Sequence, residues 1–261
     1  MSILADLTAG SVADANARKE RRSKAEVEKA ALEQTPALDA LELLAPAERV
    51  KIIAEVKRAS PSRGDLSEIS DPAQLAVSYE TGGASAISVL TEQRKFKGSL
   101  ADLEAVRAAV SIPVLRKDFM ATEYQILEAR AAGADIVLLI VAALSQKKLA
   151  ELHQLARELG MTALVETHSE DEIDRALEVG AQLVGVNARD LDSADFTLDK
   201  DLFGRVADRI PAGVIRVAES AVLKRKDVAR YREAGADVVL VGEALVTDGD
   251  PIRTLEKFLS V

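Results

Sequence analysis

Eight short apolar runs, separated by longer helical stretches, constrain this chain more than any other feature. From Lys51 onward the runs are Ile52–Val56, Ala86–Leu90, Val114–Leu115, Ile136–Val141, Ala163–Val165, Leu183–Val186, Val214–Ala218 and Val238–Val241. Each is short, rich in β-branched residues and bounded by turn or polar residues, as a buried strand should be. Stretches such as Ser145–Leu159 and Ser169–Val179 carry helical periodicity between them. Such alternation implies a parallel sheet. Four segments echo one another: GGASAISV (82–89), AGADIVLL (132–139), VGAQLVGV (179–186) and AGADVVLV (234–241). Their shared glycines, Gly83, Gly133, Gly180 and Gly235, recur every 50, 47 and 55 residues, about two βα units each. An open doubly wound sheet also alternates, but a fourfold echo of paired units suits closure. The length of 261 residues is near the roughly 250 typical of an eightfold barrel. The expected fold is α/β, a (β/α)8 TIM barrel occupying 1–261 as one domain, with residues 1–49 as an N-terminal helical extension.

Composition narrows the function classes. Hydrophobic residues make up 48% of the chain and aromatics only 3%, with no Trp. Ala, Val, Leu and Ile must therefore build the core, as in parallel strands covered on both faces. The net charge of −9 repels nucleic-acid backbones, so no nucleic-acid partner is expected. A local cluster of Lys and helix N-termini can still hold a small anion. Without Cys, thiolate catalysis and Cys-based metal sites are excluded, and two His argue against a zinc site. No dinucleotide or Walker motif occurs. The N-terminal segment lacks a signal-peptide pattern, and no apolar run approaches the ~20 residues of a membrane helix. A cytoplasmic protein with no membrane partner is the expectation. Within 1–49 the spacing predicts two or three helices, the last around Pro36–Leu44, and the charged block Arg18–Arg22 reads as a solvated face.

In this fold chemistry gathers at the C-terminal ends of the strands. The first run ends with Glu55 and Lys57, two apart and so on one face. Later runs end with Lys117, Glu166, Asn187 then Arg189, Glu219 with Ser220, and Gly242. Such groups are costly to bury unpaired. An ion-pair plug is the structural alternative, but a charge cluster at a barrel mouth fits a functional site better. The turns after the last two strands are the common phosphate site of the fold. They carry Ser220-Ala221 and Gly242-Glu243-Ala244, each expected to lead into a helix whose N–H groups face the anion. The Glu243 side chain would have to point away. Phe96 and Phe119 follow the second and third strands; they either stack on a flat ligand or fill the core. His153 reads as a surface residue of the helix after the fourth strand. His168 could reach the mouth, though a polar surface role is the simpler reading.

The segments IAEVKRASPSRG, ISVLTEQ with FKGS, VLRKDF, DIVLLIVAAL, GVNARDL, VAES and VGEAL occur in the order found in the indole-3-glycerol phosphate synthase family, which the chain resembles over essentially its whole length. IAEVKRASPS and VLRKDF together are highly specific. The resemblance implies ring closure, decarboxylation and dehydration of 1-(2-carboxyphenylamino)-1-deoxyribulose 5-phosphate in tryptophan biosynthesis. It implies no cofactor and no metal, and the expected assembly is a monomer or a weak homo-oligomer. By resemblance Lys117 is the general acid, Glu166 the general base, and Lys57 the carboxylate-binding lysine and a second acid. Glu55, Asn187 and Glu219 orient them. Arg189, Ser220, the Gly242 turn and Ser60 resemble substrate and phosphate contacts, and Phe96 and Phe119 would line the ring pocket. The N-terminal helices would cap the mouth. Two departures stand out: Ala188, where the family more often has Asn or Ser, and Ala221, where it usually has Gly. If that Gly works through positive φ, Ala strains the turn. Two alternatives stay open: a phosphate-binding barrel using a Schiff-base lysine, and a non-catalytic barrel subunit.

Overall fold

The four echoing glycines all adopt positive φ (94°, 89°, 78° and 92° for Gly83, Gly133, Gly180 and Gly235). Each ends a helix in the left-handed conformation that returns the chain to the sheet, which an L side chain resists. The computed structural model describes residues 2–190 and 197–261. Leu191, at the end of the GVNARDL motif, lies outside the described residues.

The strands are β1 (Lys51–Val56), β2 (Ala86–Leu90), β3 (Val114–Lys117), β4 (Ile136–Ile140), β5 (Thr162–Thr167), β6 (Leu183–Asn187), β7 (Ile215–Glu219) and β8 (Val238–Val241). They pair in parallel, in order round the ring, and β1 closes it against β8. This is the expected (β/α)8 barrel. Several strands run further than their apolar runs. Lys117, Asn187 and Glu219 are the last residues of β3, β6 and β7, and Glu166 is inside β5. Hydrophobicity ends where the site begins, whereas the hydrogen-bonded ladder continues through it.

Along each strand alternate side chains point inward. Ile53, Leu115, Ile136, Leu138, Leu164, Leu183, Val217 and Leu240 fill the interior as one apolar cluster. Outward residues such as Ile52, Val89, Val165 and Val239 pack beneath the helical ring. The ring is made by α4 (Pro72–Thr81), α5 (Leu100–Ala109), α6 (Glu123–Ala131), α7 (Gln146–Glu158), α8 (Glu170–Glu178), α9 (Leu202–Val206), α10 (Arg225–Glu233), α11 (Glu243–Thr247) and α12 (Pro251–Leu259). Among the described residues no helix is long and apolar enough to cross a membrane.

The extension holds three helices: α1 (Ile3–Arg21), α2 (Lys24–Leu32) and α3 (Ala40–Leu44). The last is shorter than predicted, since Pro36–Asp39 is not helical. Leu4 and Leu7 of α1 pack with Phe119 and Ile140 over the C-terminal mouth. Helix α2 lies along α6, with Val27 against Tyr124 and Leu127. At the opposite end α3 closes the floor: Ala40 and Leu44 join the interior cluster, and Lys51, the first residue of β1, donates to the Leu43 carbonyl at 2.7 Å.

Two surface readings need correction. Arg18 is not part of a solvated face; it forms a two-pronged pair with Glu128 at 2.6 and 2.8 Å, and Glu128 also meets the fully buried Arg116 at 3.1 Å. The rest of the block, Lys19–Arg22, is exposed. His153 is buried at 5% exposure, because it shares a helical face with Leu149, Leu152 and Ala156. Burial, helped by Arg157, lowers its pKa.

Candidate active site

A cavity of about 430 Å³ opens at the C-terminal mouth of the barrel. Fourteen of the residues singled out from the sequence line it: Glu55, Lys57, Ser60, Phe96, Lys117, Phe119, Glu166, Asn187, Arg189, Glu219, Ser220, Ala221, Gly242 and Glu243; His168 and Ala188 line a neighbouring cavity. Such convergence of charge in a largely apolar hollow is the usual form of a small-molecule site.

At its base Lys117 bridges two carboxylates. Its Nζ lies 3.0 Å from Glu166 Oε2 and 2.9 Å from Glu219 Oε2. Both carboxylate side chains are only 1% exposed. Burial alone would discharge the lysine, but Glu166, Glu219 and Glu55 outweigh it and raise its pKa. The two carboxyls cannot share one cation equally. Burial and the neighbouring Glu166 push Glu219 up to about 8, against the pull of Lys117. Glu166 goes the other way: burial is outweighed by Lys117, by His168 and by hydrogen bonds from Lys117 and Asn187, so its pKa falls.

A second ion pair stands on the β1 wall. Lys57 Nζ is 2.8 Å from Glu55 Oε1, and Ser88 Oγ donates to Glu55 Oε2 at 3.4 Å. Two glycines make room for these pairs. A Cβ on Gly185 would meet Glu219 Oε1 at 2.1 Å; one on Gly242 would meet Glu55 Oε1 at 2.6 Å and Lys57 Nζ at 3.0 Å. Gly242, read from sequence as a phosphate turn, is thus also a vacancy for the β1 ion pair.

Loops complete the walls. After β1 the chain forms a small hairpin, Ala59–Ser60 against Gly64–Asp65, pinned by Arg58 to Asp102 at 2.5 and 3.1 Å. This brings Ser60 and Arg63 to the cavity. Phe96 and Phe119 lie with ring centroids 6.0 Å apart. Glu92 accepts from the N–H groups of Arg94, Lys95 and Phe96 at 2.7–2.9 Å, which fixes the loop carrying Phe96.

The turn after β8 behaves as expected. Gly242 caps the start of α11, and the Glu243 carboxylate is turned to Arg63 at 2.7 Å. The turn after β7 does not: α10 begins only at Arg225, so Ser220-Ala221 is not at a helix N-terminus. Ser220 and Ala221 instead hold φ of 68° and 60°, the strained left-handed region for non-glycine residues. Ala188 lines a neighbouring cavity, not the one at the barrel mouth. Its backbone ties the end of β6 to β7, with its N–H donating to the Glu219 carbonyl at 3.0 Å.

Sequence reasoning missed Arg63 and favoured a polar surface role for His168 over its reach to the mouth. Arg63 sits inside the quoted SPSRG segment but was not separable from a surface arginine. His168, placed two residues past Glu166, is mostly buried: its side chain is 12% exposed and its Nε2 stands 3.6 Å from Glu166 Oε1. The two-residue spacing was its signal.

The comparisons with known proteins agree with this geometry. A family model described as indole-3-glycerol phosphate synthase matches residues 4–258. An indole-3-glycerol phosphate synthase of Leifsonia xyli is 67% identical over all 261 residues, covering 99% of that protein. That of Mycolicibacterium gilvum is 58% identical over 251 residues, or 96% of this chain and 91% of the relative. Among solved structures, a 3-hexulose-6-phosphate synthase superposes with a TM-score of 0.63 at 20% identity, covering 81% of this chain and 99% of that one. A thiamine phosphate pyrophosphorylase from Pyrococcus furiosus gives 0.60 at 14%, covering 80% and 93%. These two likenesses are of fold alone. Identity at this level across the full length, with a family model spanning nearly all of it, makes this chain a member of the indole-3-glycerol phosphate synthase family.

Proposed function

We propose that the chain is a carboxy-lyase converting 1-(2-carboxyphenylamino)-1-deoxyribulose 5-phosphate to indole-3-glycerol phosphate, CO2 and water, with Lys117 as the general acid. The observation that carries this reading is the partly buried Lys117, held between the buried Glu166 and Glu219 opposite the Lys57–Glu55 pair. In ring closure the carboxylate-bearing ring carbon attacks the ketone carbon. The carbonyl electron pair moves to oxygen, which takes a proton from Lys117 as its charge grows. CO2 then leaves, and the released C–C pair restores the aromatic ring. Lys57 holds the carboxylate until that point and protonates the departing hydroxyl. Glu166, ionised, removes the last C–H proton to give the indole. Each turnover takes up one proton from solvent, because a carboxylate leaves as neutral CO2.

Arg63, Arg189, Ser220, Ala221 and the backbone N–H groups of the Gly242–Glu243 turn form the phosphate end, with the Glu243 charge absorbed by Arg63. Phe96 and Phe119 flank the aromatic ring. A Schiff-base lysine would have to be neutral to attack a ketone, and the raised pKa of Lys117 opposes that. We also read the chain as one cytoplasmic domain acting as a monomer; size-exclusion chromatography tests the last point. Among the described residues, two of the four exposed large apolar side chains, Leu198 and Leu223, belong to the cavity mouth and not to a separate patch.

The decisive assay follows the fluorescent indole product. Lys117→Ala should lower turnover at least ~100-fold, the low end for losing a general acid. Near-normal turnover would remove Lys117 from the chemistry.

A further inference from the structure

Glu166 uses only one of its two oxygens on Lys117. Its Oε1 is buried and has no hydrogen-bond partner among the described residues, and the same is true of His168 Nε2. The two atoms face each other at 3.6 Å. The ring is held from its other side: Glu172 Oε2, in the first turn of α8, accepts from the His168 backbone N–H at 2.7 Å and meets Nδ1 at 3.2 Å. Chain geometry thus aims one imidazole edge at the proposed base and anchors the other edge to a carboxylate.

Lys117 is flanked almost symmetrically by Glu166 and Glu219, at 3.0 and 2.9 Å. One cation between two buried carboxylates leaves open which of them stays ionised. A second cation that stands 3.6 Å from Glu166 and acts on Glu219 only more weakly favours Glu166 as the ionised one. Resting on the reading of Glu166 as the base, we propose that His168, as an imidazolium anchored by Glu172, is a positioning residue that keeps Glu166 ionised and its Oε2 on Lys117, leaving the proton to Glu219.

The surroundings support a charged ring. Burial opposes it, but the Glu172 hydrogen bond and the nearby Glu166 and Glu219 outweigh burial, so the His168 pKa is raised. Of the other charged groups, Asp190, Asp199 and Arg205 share its cavity, while Leu4 of α1 and Ala142 after β4 offer no charge.

Two measurements test the proposal. In wild-type protein, ring-carbon NMR shifts of the two histidines, assigned by comparison with His168→Gln, should show His168 protonated at pH 7. A neutral ring there overturns the proposal, whether or not any variant folds. In His168→Gln, which keeps a donor but no charge, the acid limb of the kcat profile should move up by about one pH unit or more, the effect of losing an adjacent opposite charge. Turnover below that limb should fall about tenfold, with KM unchanged. Glu172→Gln should shift the limb the same way by less. An unmoved limb, or a raised KM with unchanged kcat, overturns the proposal. Glu166→Gln separates it from the reading beneath: near-normal turnover there removes the base and this proposal together, whereas an inactive Glu166→Gln beside an unmoved His168→Gln limb removes this proposal alone.

Discussion

Single residues here matter as much for what they leave out as for what they carry. Gly185 touches no substrate in the proposed scheme, yet its missing Cβ is the space that Glu219 occupies. Gly185→Ala should displace Glu219 and with it Lys117. Misplacement on the scale of 1 Å costs about 100-fold in rate, so a fall in kcat of about 10- to 100-fold is expected, with the fold retained by circular dichroism. Ala221 makes the opposite case. At φ 60° an alanine is strained by about 1–2 kcal/mol, while glycine's extra freedom in the unfolded chain offsets about 0.5–1 kcal/mol. Ala221→Gly should therefore stabilise the protein by about 0–1.5 kcal/mol, raising its melting temperature by a few degrees at most. The polar residues were legible individually, because each follows an apolar run. The roles of Gly185 and His168 were not, since they depend on what a different strand places opposite.

Among the elements, α1 is tied to the turn that follows β3. Ser11 donates to Asp118 Oδ1 at 2.8 Å, and Asp118 also accepts from Thr91 at 2.7 Å, Arg116 at 3.0 Å and the Phe119 N–H at 2.8 Å. Asp118 stands between Lys117 and Phe119, so the helix grips the chain where both the proposed acid and one aromatic wall of the cavity emerge. Ser11→Ala leaves Asp118 three of its four partners and should cost about 1 kcal/mol, read by chemical denaturation. Arg18→Met should cost more, because Glu128 is buried and charged. The extension's helical nature was readable from periodicity. Its path from mouth to floor was not, because the partners of Ser11, Arg18 and Leu38 lie about a hundred residues downstream.

Over the whole molecule, the mouth sets part of the pH response. The folded pKa of Glu166 is depressed, so its contribution to stability is present above the unfolded value of 4.5 and is lost as pH falls below it. Glu219 has the reverse sign: with a folded value of about 8 against 4.5 unfolded, it destabilises increasingly as pH rises through that window and then levels off. Glu219→Gln should match wild type near pH 4 and become progressively more stable than it up to about pH 8. Denaturation midpoints across that range provide the check, and a constant difference would refute the assignment. The trade is typical of active sites, where stability is given up for function. The barrel itself was legible because eight buried strands, each covered by helices, leave a repeating trace in sequence. The small hairpin holding Ser60 was not, since two-residue strands have no periodicity to read.

The path of α1, α2 and α3 also bears on synthesis. They leave the ribosome before the strands of this barrel, while the groups they grip, Asp118, Glu128 and Asp135, are translated much later. Until then Leu4, Leu7, Ala40 and Leu44 have no barrel to enter, and contacts of such long sequence separation form slowly. Docking of these helices therefore waits on the middle of the chain, and until it is made their apolar faces are the kind of surface a chaperone covers.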